Sequence, residues 1–185
     1  MKAIRIELLI ATLALLASAA ASIATVVQTR VVGQEMSASV WPYLTIEDML
    51  SNDDYKLEVI NQGLGPAIVQ SADLSIDGKP QANWRAALRT IAAKDRHHIF
   101  NGRGFPLTQS DFGATSVVRA GESTQIIAVH KPGLGDAVRA GYLPKPDLAV
   151  CYCSILQQCW RVDTLQLEQP RAVRDCGTDH AMLQY

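Results

Sequence analysis

A run of 20 residues without a charge, Leu8 to Val27, constrains this chain more than any other feature. A helix rises about 1.5 Å per residue, so a helix of this length spans the hydrocarbon core of a bilayer, about 30 Å thick. The run has no polar face, which argues against an amphipathic helix packed on a globular core. The sequence therefore predicts a transmembrane helix over Leu8–Val27, with the lipid bilayer as its partner.

The charges on either side of this run predict its orientation. Lys2 and Arg5 precede the run, and Arg30 is the first charged residue after it. Basic residues next to a membrane span favour the cytoplasmic side. We therefore expect residues 1–7 to form a cytoplasmic N-terminus and the chain beyond Val27 to lie outside the cytoplasm.

A cleaved signal peptide is the competing interpretation of the same run. The basic start is shared, and the small residues at Ser18–Ser22 offer a cleavage site. Apolar character continues through Val27, which favours an uncleaved anchor. A pilin-like helix is suggested by Glu7, but the glycine-containing processing motif is absent. Anchor and signal peptide both place the rest of the chain in an oxidising compartment.

Short β patterns dominate the chain after a stalk predicted over residues 28–40. Alternating or β-branched runs bounded by turn residues predict strands. The predicted strands are Tyr43–Glu47, Tyr55–Asn61, Ala67–Ile76, residues 117–119, Thr124–Val129, Asp147–Ser154 and Cys159–Glu168.

One amphipathic helix is predicted between these strands, over Asn83–Ala93, because its apolar residues recur at three- and four-residue spacing. Lys94–Phe112 and Pro132–Pro146 are predicted to be irregular loops. The order of elements is mainly antiparallel, and two packed sheets would bury one face of every strand. We therefore predict a mainly β fold, an antiparallel β-sandwich with one inserted short helix, over residues 41–185.

The cysteines are clustered in the last fifth of the chain, at Cys151, Cys153, Cys159 and Cys176. A hairpin that turns near Leu156 places Tyr152 opposite Trp160 on one face and Cys153 opposite Cys159 on the other. This register favours a Cys153–Cys159 disulfide and leaves Cys151 to bond Cys176. Four cysteines allow three pairings, so the other two remain open.

A metal or redox site is the alternative for these cysteines, since clustered thiolates bind copper or zinc. The sequence contains no CxxC pair, and His180 is the only histidine nearby. An oxidising compartment favours disulfides. We therefore predict no metal ligand, no cofactor and no catalytic residue here.

Other candidate motifs lack the context that their chemistry requires. His97-His98 has no HExxH pattern, and His130 ends a predicted strand. Gly63-Leu64-Gly65 and Gly133-Leu134-Gly135 do not continue into the Gly-Lys-Ser/Thr of a phosphate loop. The net charge is −1 without a basic stripe, so nucleic acid is not expected as a partner.

Several motifs together resemble a group of uncharacterised bacterial single-pass membrane proteins. They are Trp41-Pro42-Tyr43-Leu44, Asn61-Gln62-Gly63-Leu64-Gly65-Pro66-Ala67, Asp77-Gly78-Lys79-Pro80 and the cysteine run at 151–160. Val59–Gly78 also resembles a strand-turn-strand of immunoglobulin-like and CARDB-type sandwiches. The resemblance implies an immunoglobulin-like fold in the periplasm, anchored in the bacterial inner membrane, and it implies no reaction.

Two functions remain open at this point. The first is a non-enzymatic envelope module that binds another protein or itself, because an anchored sandwich lacks a catalytic signature. The second is an envelope enzyme or a metal or redox protein that uses the cysteine cluster. The state of the cysteines separates the two, since four free, metal-protected thiols would favour the second and paired cysteines the first.

Overall fold

The structure is a computed structural model that describes residues 2–100, 107–164 and 169–177. Two compact units make up the chain, Met1–Ser39 and Val40–Tyr185.

The first unit is a single helix, α1, Lys2–Ser39. Its segment Leu8–Ser39 is long and apolar enough to cross a membrane by length and composition. The hydroxyls of Ser18 and Ser22 each donate a hydrogen bond of 2.9 Å to the carbonyl four residues earlier. These bonds satisfy the two serine hydroxyls within the helix itself, so neither hydroxyl needs a partner outside it.

The second unit is mainly β and contains two antiparallel sheets. Its elements are β1 (Leu44–Leu50), β2 (Asp54–Asn61), β3 (Ala67–Ile76), β4 (Lys79–Gln81), α2 (Trp84–Ala93), β5 (Leu107–Gln109), β6 (Val117–Val118), β7 (Ser123–His130), α3 (Leu134–Arg139), β8 (Pro146–Cys153), β9 (Cys159–Asp163) and β10 (Arg171–Val173). One sheet has the order β1-β2-β7-β5. The other has the order β10-β9-β8-β3-β4, and β6 also pairs with β3.

Apolar side chains from both sheets form one buried cluster. Leu57 on β2 and Leu74 on β3 belong to it, and α2 contributes Trp84. The hydroxyl of buried Tyr152 on β8 accepts a hydrogen bond of 3.1 Å from the backbone N–H of Leu44 on β1. This bond joins the two sheets directly and satisfies a polar group inside the core.

The predicted mainly β character and several element bounds are confirmed. β3 spans the predicted residues Ala67–Ile76. Helix α2 begins after Asn83, whose side chain accepts a hydrogen bond of 2.9 Å from the N–H of Ala86. An asparagine in this position satisfies one of the free N–H groups of the first turn, which explains where the helix begins.

Two predicted loops differ from the structure. Pro132–Pro146 contains α3 and buries Leu134, Ala137 and Leu143, so it is not a free loop. The described part of Lys94–Phe112 contains the short strand β5, while residues 101–106 lie outside the described residues. Both elements are too short to produce a periodic pattern in the sequence.

The last predicted strand is shorter in the structure than in the sequence analysis. Strand β9 ends at Asp163, and residues 165–168 of the predicted range lie outside the described residues. Strand β10, which was not predicted, pairs with β9 and brings the C-terminal segment to the edge of the six-stranded sheet. Its three residues carry no strand pattern of their own.

Candidate functional site

The β8–β9 hairpin carries three of the four cysteines. Its register places Tyr152 opposite Trp160 and Cys153 opposite Cys159, which confirms the predicted register. The rings of Tyr152 and Trp160 stack with their centroids 6.0 Å apart. Since alternate residues of a strand point to opposite faces, the sulfurs lie on the face away from these rings.

Ser154 fixes the turn between the two strands. It is buried, its N–H donates to the carbonyl of Gln158 at 2.8 Å, and its hydroxyl accepts from the N–H groups of Leu156 and Gln158. Ile155 and Leu156 form the exposed tip of the turn, and Ile155 is 55% exposed. Two apolar side chains thus lie in solvent next to the cysteines.

The four cysteines form two disulfides. Cys153 bonds Cys159 across the hairpin, with the Cα atoms 4.0 Å apart. Cys151 bonds Cys176, with the Cα atoms 5.7 Å apart, and so ties the segment after β10 to β8. These cysteines and Val173 form a small cluster separate from the main core.

The two disulfides touch each other. Sγ of Cys153 lies 3.9 Å from Sγ of Cys176. The sulfurs of Cys153, Cys159 and Cys176 all lie within 4.8 Å of one another. Three sulfurs this close could bind copper or zinc only as thiolates, which would require both disulfides to be reduced.

An open cleft of about 640 Å³ lies beside these sulfurs. Cys153, Cys159 and Cys176 line it, together with Ile155 and Arg174. The cleft combines solvent access and an apolar contact with side chains of both charges, since Asp175 lines it as well.

The histidines singled out in the sequence lie elsewhere. The ring of His97 stacks on Tyr142, with centroids 4.0 Å apart. His98 has a left-handed backbone with φ of 57°. His180 lies outside the described residues. Among the described residues, no histidine joins the cysteine sulfurs in a group that could hold a metal ion.

His130 takes part in a three-residue polar cluster with Asp54 and Ser51. Its Nδ1 lies 2.7 Å from Oδ1 of Asp54, and the hydroxyl of Ser51 donates to Oδ2 of Asp54 at 2.9 Å. The hydrogen bond from His130, and then that from Ser51, lower the pKa of Asp54. Asp54 lies between the other two, so His130 is not placed to take a proton from Ser51 as a catalytic triad requires.

The first glycine motif packs against the start of the second unit. A Cβ on Gly65 would lie 2.0 Å from the carbonyl oxygen of Val40, and one on Gly63 would lie 2.4 Å from the backbone N of Tyr43. Leu64 N–H donates to the carbonyl of Trp41 at 2.9 Å. The glycines are therefore needed for close backbone approach, and the motif is not a phosphate loop.

Asn61 holds this contact together from within. Its buried side chain accepts from the N–H groups of Tyr43 and Gly63, at 3.2 and 3.0 Å. Its amide donates to the carbonyls of Gly65 and Val118, both at 2.9 Å. The sequence motifs at 41–44 and 61–67 are thus two halves of one structural contact, which sequence spacing alone did not reveal.

The second glycine motif is also structural. A Cβ on Gly135 would lie 1.6 Å from the carbonyl oxygen of Ser51, and the N–H of Gly135 donates to the carbonyl of Asn52 at 3.0 Å. The N–H of Gly133 donates to Asp53 Oδ1 at 2.9 Å. These contacts attach α3 to the turn between β1 and β2.

A partly open apolar cavity of about 30 Å³ lies between α2, α3 and the four-stranded sheet. Trp84, Phe100, Leu134 and Tyr55 are among the side chains that line it. Burial raises the pKa of the Tyr55 hydroxyl, which keeps it protonated. The cavity has room for about one water and no polar lining, so it lacks the groups that orient a substrate.

Comparison with known proteins identifies no relative of this chain. No family model, no curated protein and no solved structure matches this chain.

Proposed function

We propose that the chain is a membrane-anchored module of the bacterial cell envelope that acts by binding another protein or a second copy of itself. In this proposal α1 crosses the inner membrane and the β-rich unit lies in the periplasm. The observation that carries it is the combination of a helix apolar enough to cross a membrane with a following unit whose four cysteines are all paired. Paired cysteines are typical of compartments outside the cytoplasm.

Within this proposal the two sheets are the layers of an immunoglobulin-like β-sandwich. The antiparallel order and the core shared by both sheets support it. The resemblance of Val59–Gly78 to CARDB-type sandwiches points the same way. Membership in the group of uncharacterised bacterial single-pass proteins belongs to the same proposal.

The outer side of β1 is the binding surface that this proposal favours. Just before β1, the carbonyl of Tyr43 accepts a hydrogen bond of 2.8 Å from the N–H of Gln62, which directly follows β2. Backbone groups alternate in direction along an antiparallel strand, so those of Ile46 and Asp48 face away from β2. No strand among the described residues pairs with that side. An extended segment of a partner can add to such an edge.

A proline at Asp48 tests this surface. Asp48 is exposed, so Asp48→Pro removes an outward N–H while leaving the β1–β2 ladder intact. Asp48→Ala is the matched control, because both variants lose the ion pair from Lys145 Nζ to Asp48 Oδ2 at 2.6 Å.

The measurement is cross-linking in intact membranes combined with the mass of the detergent-solubilised protein. We expect wild type and Asp48→Ala to form a complex heavier than the 20.1 kDa chain, and Asp48→Pro to lose it. A wild-type protein that is monomeric and without cross-links in both settings would overturn the proposal.

A further inference from the structure

We propose that the two disulfides form a thiol–disulfide exchange relay, in which reduction at Cys159 passes through Cys153 to Cys176 and ends at Cys151. The substrate class is a dithiol, either a small molecule or a protein with two neighbouring thiols. This inference goes beyond the proposed binding function and does not depend on it.

The contact between the disulfides carries the proposal. The 3.9 Å between Sγ of Cys153 and Sγ of Cys176 is van der Waals contact between sulfurs of different bonds. Disulfide staples that act independently do not need such contact. Thiolate attack on a disulfide sulfur requires it, because the new bond forms along that approach.

The exposure of the sulfurs gives the relay a direction. Cys159 is half-buried, whereas Cys151, Cys153 and Cys176 are buried. Cys153, Cys159 and Cys176 all line the open cleft, and Cys159 is the least buried of the three. Cys159 is therefore the sulfur most accessible to an incoming thiolate, whereas Cys151 does not line the cleft.

The chemistry balances in three displacements. A thiolate of the dithiol attacks Cys159 Sγ, the Cys153–Cys159 bond breaks, and Cys153 leaves as a thiolate. Cys153 then attacks Cys176 Sγ, a Cys153–Cys176 bond forms, and Cys151 leaves as a thiolate. The second thiol of the dithiol displaces Cys159 and closes its own disulfide. The dithiol loses two electrons, and the protein gains them with two protons as the thiols of Cys151 and Cys159.

The surrounding strands keep the sulfurs in place during the exchange. The β8–β9 ladder holds Cys153 opposite Cys159 whether or not they are bonded. Strand β10 pairs with β9 just before the segment that carries Cys176. The exchange therefore changes which sulfurs are bonded without unpairing a strand.

Cys159→Ser tests the central step directly. It leaves Cys153 as a free thiol 3.9 Å from the sulfur of Cys176 in the remaining disulfide. The full chain in detergent is quenched with acid to stop thiol exchange and is then labelled with a maleimide. Chymotrypsin cleaves after Tyr152 and so separates Cys151 from Cys153. Tandem mass spectrometry then shows which cysteine carries the label. We expect label at Cys151 as well as at Cys153, because exchange moves the free thiol.

Cys176→Ser is the matched control, with the same number of cysteines and one free thiol. Its free thiol is Cys151, which lies outside the trio of close sulfurs, so we expect label at Cys151 alone and an intact Cys153–Cys159 bond. Label confined to Cys153 in the Cys159→Ser variant would overturn the relay. The two disulfides of the wild type would then be independent staples.

The relay can also be tested without any substitution, by treating the wild-type protein with one equivalent of dithiothreitol. This test remains possible if a cysteine variant fails to fold. The relay predicts label at Cys151 and Cys159. Label at Cys153 and Cys159, with the Cys151–Cys176 bond kept, contradicts it. Neither result bears on membrane location or on β1, so the two proposals can fail separately.

Discussion

Helix α1 and the β-rich unit place their apolar side chains in opposite surroundings. Leu15 on α1 is 70% exposed, whereas Leu57 on β2 is 0% exposed. Burying a leucine stabilises a protein by about 2 kcal/mol relative to leaving it in water. The second unit gains this energy from its own core, whereas the apolar side chains of α1 are exposed. The contrast teaches that apolar content alone does not identify a core.

The two units also differ in how they satisfy polar groups. In α1, hydroxyls bond back to carbonyls of the same helix, as at Ser18. In the β-rich unit, the side chain of Asn61 joins segments far apart in the chain. A helix in lipid must satisfy its polar groups locally, whereas a folded core can do so at long range. We therefore expect a substitution in one unit to leave the structure of the other unit unchanged.

The largest expected effect comes from charges in α1. Leu15→Arg with Leu16→Arg is expected to cost about 5 to 7 kcal/mol of membrane insertion, because each arginine at the centre of a span costs about 2.5 to 3.5 kcal/mol. We expect the double variant to leave carbonate-washed membranes while the urea midpoint of the β-rich unit stays unchanged. Leu15→Phe with Leu16→Phe is the control and should remain in the membrane pellet. Equal retention of both variants in the membrane pellet would contradict this contrast between α1 and the β-rich unit.

The next effect is in the β-rich unit. Asn61→Ala removes four hydrogen bonds and leaves buried N–H and C=O groups without partners. We expect a loss of about 3 kcal/mol in the free energy of unfolding, since each unpaired buried group costs about 1 to 3 kcal/mol. Urea unfolding of the full chain in detergent, followed by tryptophan fluorescence, measures it.

Gln62→Ala is the matched control for Asn61→Ala, because Gln62 is the exposed neighbour. It should change the unfolding free energy little, and both variants should stay in the membrane fraction. An Asn61→Ala protein as stable as Gln62→Ala would show that this contact does not hold the start of the unit.

The smallest effect concerns pH. The pKa of Asp54 is lowered from 3.8 by its hydrogen bond to His130 and then by that to Ser51. A lowered folded pKa means that ionised Asp54 adds stability above about pH 3.8, and that this stability is lost as the pH falls through the lowered value. We expect Asp54→Asn to unfold more readily than wild type near neutral pH, and the difference to shrink as the pH falls below 3.8. A difference that stays constant as the pH falls, in urea unfolding followed from neutral to acid pH, would contradict this.

Local signals predicted a good part of the fold. Gly65-Pro66 and Asp77-Gly78 bracket β3, so its bounds could be inferred from turn residues. The pairing of Tyr152 with Trp160 followed from an alternating pattern around a short turn. Both are short-range features that a single sequence contains.

The remainder depends on contacts between distant segments. The approach of Gly65 to Val40 involves backbone atoms, which leave no pattern beyond a glycine. Cys153 and Cys176 meet because β10 brings the C-terminal segment back to β9, and β10 has only three residues. Sequence reasoning therefore found the cysteine hairpin, but it could not find the contact between the two disulfides.

In the proposed function, α1 anchors the chain in a membrane with the β-rich unit outside the cytoplasm. The most direct test adds protease to intact bacterial spheroplasts that express the chain with an N-terminal and a C-terminal tag. We predict that the C-terminal tag is digested while the N-terminal tag survives on a membrane-bound fragment. Protection of both tags, or a released chain without its N-terminal tag, would contradict the claim.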